Sequence, residues 1–188
     1  MSPEQIAQLA GGCSRPFHIS VEYEGIITTI KETLNCPETQ VAPFDCASFP
    51  ALIQIVGTNG VGFEVKELNP ASGEYRPIYS IPFNRTPSYT GMNAAGINKV
   101  DSIAYALMGL NSTSTYLVRF DAQEVLFVAK MPDMTAAGDV DEVGNFVWTK
   151  NTKRTLSVLP DITNMEGFKD PADAPDMSVW GPTLESVD

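Results

Sequence analysis

Long apolar runs, histidines and cationic side chains are all scarce in this 188-residue chain, and each shortage removes a class of protein. No stretch approaches the roughly 18 apolar residues of a membrane span. The start, Met1-Ser2-Pro3-Glu4-Gln5, lacks the basic and apolar regions of a signal peptide. The chain as given is therefore expected to be soluble, with no membrane insertion, and the leader of an exported form would have been removed, would belong to a longer precursor, or would not be included in this sequence. Twelve Lys and Arg against 23 Asp and Glu give a net charge of −11, which opposes neutralisation of phosphates and so argues against nucleic acid as a partner. His18 is the only histidine, so any histidine-dependent triad or multi-histidine metal site would have to centre on it. Its neighbours Phe17 and Ile19 suit a strand on which His18 points the opposite way, and a packed or surface role is expected.

Cysteine is nearly as rare. Cys13, Cys36 and Cys46 all fall in the first quarter of the chain. They are disulfide candidates: Cys36 and Cys46 flank a short turn-rich stretch, and Cys13 with either of the others is equally allowed. Three thiols in a reducing compartment is the competing reading. No Cys-x-x-Cys spacing is present, so a zinc site with His18 is disfavoured.

What is present is β-sheet punctuation. The division expected is a cysteine-bearing N-terminal cap, or the end of a preceding module, over residues 1–48, and a repeat region over 49–188. In the cap, 3–10 suits a short helix, 17–23 alternates like a strand, and 25–34 is rich in β-branched residues. From Ala51 onward short apolar runs alternate with Gly, Asn, Asp and Pro turns. Strands are expected near 52–56, 61–68 and 75–81, then at 103–108, 116–120 and 125–130, then at 145–149 and 155–159. The stretch 84–92 reads as a polar connection, and 176–182 as the opening of a further unit. Asn98-Lys99-Val100-Asp101-Ser102-Ile103-Ala104-Tyr105 is echoed by Asp141-Glu142-Val143-Gly144-Asn145-Phe146-Val147-Trp148. A recurrence of about 43 residues, with a polar turn before a run ending in an aromatic, suits four-stranded propeller blades.

Few residues suggest chemistry. Asp139, Asp141 and Asn145 sit in an acidic turn with a permissive glycine, a weak calcium loop; Val143 occupies a ligand position and no Glu follows at the EF-hand distance. A solvated turn is the plainer reading, and no cofactor is expected beyond a modest Ca2+ requirement. Gly57-Thr58-Asn59-Gly60-Val61-Gly62 lacks the Lys-Ser/Thr ending of a phosphate loop and reads as a hairpin turn. Asn84 and Asn111 begin glycosylation sequons in turn-like segments. Trp148, Trp180, Tyr105 and Tyr116 could form a carbohydrate platform, but their recurrence at matching strand positions favours packing between blades.

The segments Ser72-Gly73-Glu74, Asn93-Ala94-Ala95-Gly96-Ile97-Asn98, Asp101-Ser102-Ile103-Ala104-Tyr105, Leu117-Val118-Arg119-Phe120 and Gly138-Asp139-Val140-Asp141, followed by Gly144-Asn145-Phe146-Val147-Trp148, resemble an uncharacterised propeller-like repeat domain. That family occurs in large secreted or cell-surface proteins of bacteria and some eukaryotes. The resemblance spans roughly 51–182, with Ser102 standing where a turn glycine is usual and Lys153-Arg154 crowding the third unit. It implies an all-β fold of propeller-like repeat units, an extracellular or cell-surface setting, and no catalytic residue. Two or three units cannot close a ring of about four to eight blades. The expected role is therefore a noncatalytic structural or interaction domain of a filament, wall or appendage, whose partners are other copies or other subunits. A carbohydrate- or glycoprotein-binding adhesin, with glycans as partners, is the alternative. A hydrolase with carboxylates at a propeller mouth is the third reading.

Overall fold

A computed structural model describes residues 16–23, 26–33, 41–58, 62–81, 89–149, 156–179 and 183–184. Among them there is no α-helix, and no helix is long and apolar enough to cross a membrane. The chain divides into two compact units, Met1–Thr39 and Gln40–Asp188. In the first, β1 (Pro16–Tyr23) and β2 (Ile26–Thr33) form an antiparallel hairpin that sets His18 opposite Lys31. The expected helix over 3–10 lies outside the described residues.

The second unit is a series of three antiparallel sheets, none closed, each laid down strand by strand in sequence order. The first holds β3 (Leu52–Thr58), β4 (Gly62–Leu68) and β5 (Tyr75–Ile81). The central sheet holds β6 (Tyr89–Ile97), β7 (Ala104–Leu110), β8 (Ser114–Phe120) and β9 (Val125–Met131). The third holds β10 (Gly138–Val140), β11 (Phe146–Thr149), β12 (Leu156–Leu159) and β13 (Thr183–Leu184).

Apolar periodicity explains how the sheets stack. Successive strand residues point to opposite faces, and the central sheet is apolar on both. On β7, Ala104, Ala106 and Met108 join Ile81 and Val65 of the first sheet in one core. Tyr105 and Leu107 join Phe146, Trp148 and Leu159 of the third sheet in the other. Every residue of β7 is consequently buried, and its sequence shows a continuous run rather than the alternation of a one-sided strand.

The opening strands of the sheets are neighbours: β6 packs against both β3 and β10. This closeness explains the composition of β6, Tyr-Thr-Gly-Met-Asn-Ala-Ala-Gly-Ile, which reads from sequence as a loop. Its small residues leave room for another backbone. A Cβ on Gly96 would overlap the Asp139 carboxylate and lie 2.7 Å from the Val140 backbone nitrogen. On Gly138 it would lie 2.9 Å from both the Ala94 methyl and the Val147 carbonyl oxygen. The stretch 89–92, expected as connection, is thus part of a strand, and the second sheet begins before Asn93.

Sheet edges are managed in two ways. On β5, Pro77 stands within the edge strand, opposite Lys66 and beside a register shift, and a proline there removes a donor that another strand could use. The outer edge of β9 is covered by a strap from the third sheet. Phe127 and Phe168 exchange N–H···O bonds of 2.8 Å, Lys130 N–H donates to the Pro175 carbonyl (2.9 Å) and Met177 N–H to the Lys130 carbonyl (2.9 Å). Asp176 and Met177 therefore close the edge of the central sheet. They do not open a new unit, which corrects the reading of 176–182; residues 180–182 lie outside the described set.

The segment before β3 also belongs to the larger unit, so the compact division falls earlier than residue 48. Phe44 N–H donates to the Ser102 carbonyl (2.7 Å), and Ala42 N–H to the Asp121 carboxylate (2.6 Å).

Candidate functional site

The two echoing turns lie side by side where β6 and β10 end. Asn98 caps the first: its side-chain oxygen accepts from Val100 N–H (3.0 Å), and its backbone carbonyl accepts from Ser102 N–H (2.7 Å). Asp141 caps the second, with one oxygen accepting from Val143 N–H (3.0 Å) and Asn145 N–H (2.8 Å). Both are Asx-type turns in which a short polar side chain substitutes for backbone acceptors. Each needs a left-handed residue, supplied by Ser102 (φ 60°) and Gly144 (φ 85°). The segment Ile162–Asn164 bridges the turns, through Asn98 Nδ2 to Thr163 Oγ1 (2.8 Å) and Ile162 N–H to the Gly144 carbonyl (2.9 Å), and the exposed Lys99–Glu142 pair (2.6 Å) joins them directly.

Register corrects the echo by one residue. Ile97 pairs with Ala104 but Val140 with Phe146, so the second turn is one residue shorter and Tyr105 corresponds to Val147 rather than to Trp148. A one-residue slip moves a side chain to the other face. Tyr105 and Trp148 are therefore not equivalent positions; they enter the same core from opposite sheets. Both are buried, as is Tyr116, so these three form no surface platform, and Trp180 lies outside the described residues.

Asp141 and Asn145 come together, but as partners of each other. Asn145 Nδ2 donates to the second Asp141 oxygen (2.8 Å), and Asn145 Oδ1 accepts from Asp161 N–H (3.0 Å). Burial works against the charged Asp141 carboxylate, yet the hydrogen bonds from Asn145, Val143 and Gly144 outweigh it and hold its pKa below the usual value. Asp139 sits on β10, where its carboxylate accepts from Val140 N–H (2.8 Å) and lies over Gly96. Among the described residues no three His, Cys, Asp or Glu side chains gather as a metal site.

Asn111 lies at the exposed tip of the β7–β8 hairpin with φ 52°, followed by Ser112 at 59°, a conformation that asparagine tolerates. Asn84 lies outside the described residues. Cys46 is exposed with a free thiol, in a turn where Ser48 N–H donates to Asp45 (3.1 Å); Cys13 and Cys36 are outside the described residues.

Arg119, which in sequence is one residue of the strand motif Leu117-Val118-Arg119-Phe120, has a specific position. It stands opposite Tyr105 on β8, 2 % exposed, and donates to the Met165 carbonyl (3.2 Å). Gly167 passes so close that a Cβ there would lie 2.7 Å from the guanidinium. Tyr105 in turn donates to Asp101 (2.9 Å). Burial first, then the Asp101 charge, pushes the Tyr105 hydroxyl well above its ordinary value, so it stays a neutral donor. This Arg119–Tyr105–Asp101 series anchors the strap and the first turn to the central sheet.

The described residues also line two adjoining cavities that no sequence motif signals. One, about 270 Å³, lies between the first and central sheets; the other, about 330 Å³, lies under the segment around Phe44. Phe44, Tyr79 and Phe120 border both.

No family model, curated protein or solved structure matches the chain.

Proposed function

We propose that the region 49–188 consists of consecutive propeller-like blades of the repeat family that the sequence resembles, serving as a noncatalytic structural or interaction module of an extracellular or cell-surface assembly. The observation that carries this reading is the adjacency of the opening strands: β6 lies against β3 and β10, while the sheets stack face on face behind them. Blades around a common axis have this order, with each opening strand innermost.

The outer faces support partners. On the first sheet Leu52 is 66 % exposed and Tyr75 47 %, and on the third Leu156 is 41 % exposed beside the Val147–Val158 pair. Interior blade faces are apolar for the same reason, and other copies or subunits would cover these two. The exposed sequon at Asn111 supports a secretory setting. Light scattering after size exclusion on the full chain tests the proposal. The expected mass exceeds that of a monomer and rises with concentration; a monomer at every concentration tested would overturn it.

A further inference from the structure

We infer that the cavity between the first and central sheets is a binding site for a neutral, ring-sized apolar molecule bearing one hydrogen-bond acceptor. Its volume, about 270 Å³, exceeds the roughly 150 Å³ of an apolar cavity that stays dry and takes up benzene. Its walls are mostly aliphatic and aromatic: Ile53, Ile55 and Val65 from the first sheet, Ala104 and Phe120 from the central one, and Phe44 from the preceding segment. Close packing normally leaves no such space between sheets. Here the small residues Ala95, Gly96 and Ala104 create it.

Polarity narrows the ligand. No charged side chain of either sign is among the described lining residues. Tyr105 directs its side chain into the other core, where Asp101 and Arg119 both act on it, and the Tyr79 hydroxyl is pushed far above its ordinary value by burial and then by the Asp121 charge. A charged ligand would leave water for a site whose described lining offers no opposite charge, so a neutral one is selected. Tyr105 already spends its proton on Asp101, whereas the Tyr79 hydroxyl has no hydrogen-bond partner among the described residues. Tyr79 is the donor that remains for a ligand acceptor. Leu52, exposed at the rim, marks the side open to solvent.

The test uses acetophenone, a neutral ring with one carbonyl, against benzoate, of similar size but anionic, and toluene, which lacks the acceptor, each titrated into the full chain and followed by saturation-transfer NMR. Acetophenone is expected to bind and benzoate not to bind. Tyr79→Phe should weaken acetophenone roughly fivefold, one neutral hydrogen bond's worth, and leave toluene unchanged. Ala104→Leu should abolish both by filling the space; because Ala104 is a core residue, Ala95→Trp at an exposed position provides a second block in a fold checked by circular dichroism. Absence of acetophenone binding, equal binding of benzoate, or full binding by a folded Ala95→Trp variant would overturn the assignment.

Discussion

The central sheet and the first sheet are both antiparallel meanders of similar strand length, yet they differ in almost every other respect. The central sheet is covered on both faces and its β7 is buried throughout; the first is covered on one face, and only Val65 and Ile81 among its strand residues are fully buried. The central sheet's outer edge is closed by the 168–177 strap, while the first ends on a strand carrying Pro77. Position in a stack, more than the strands themselves, sets how tightly each residue is constrained.

The largest expected effect separates the two environments directly. Leu107→Ala, at a fully buried site between the central and third sheets, should cost about 2–5 kcal/mol in urea denaturation. Val158→Ala, on the outward face of the third sheet, should cost about 1 kcal/mol or less. Equal losses would mean that the outward face is covered within the chain. Next comes the contact between opening strands: Gly96→Ala should destabilise by about 1–3 kcal/mol because backbone cannot yield to the added methyl. Gly57→Ala, which meets only the Phe63 ring at 3.8 Å, should be near neutral. A harmless Gly96→Ala would show that β6 and β10 are further apart.

These same residues mark what the sequence could disclose. Strands β4, β5, β7, β8 and β9 are bounded by turn residues and rich in apolar side chains, so their existence is legible from pattern alone. Strand β6 is not, because the neighbour it accommodates is distant in sequence and the small residues that allow the approach look like a loop. The register slip between the two turns is hidden for a related reason: aligning Tyr105 with Trp148 maximises similarity, while the paired strands show that one residue has been lost. The strap over β9 is not legible as one, and its end reads instead as the opening of a further unit, since its hydrogen bonds go to a strand about forty residues earlier rather than to a local partner. The cavity leaves no motif, being a product of what small residues fail to fill.

Two smaller effects sharpen the comparison of the turns. Ser102 holds a left-handed conformation that Gly144 adopts freely, so Ser102→Gly should stabilise by about 1 kcal/mol, read as a rise in urea midpoint; no change would mean that the first turn relaxes out of that conformation. The smallest effect is that of acid on three exposed or partly exposed carboxylates. Asp141, Glu142 and Asp176 all have folded pKa values held below their ordinary 3.8 to 4.5, for Glu142 chiefly by Lys99 and for Asp176 chiefly by Lys130. Their contribution is present above about pH 4.5 and is lost as pH falls through the lowered values. Thermal scans from pH 6 to 2 should show a gradual loss, smaller at high salt. A stability that rises on acidification would contradict these pairings.

Residue-resolved hydrogen exchange tests the stacked arrangement most directly. Amides of β7 and β8 should exchange only through global unfolding, with the same free energy as urea denaturation, while those of β3, β5 and β12 exchange faster through local opening. Uniform protection across the first, central and third sheets, or faster exchange in β7 and β8 than in β3 and β5, would contradict a central sheet covered on both faces.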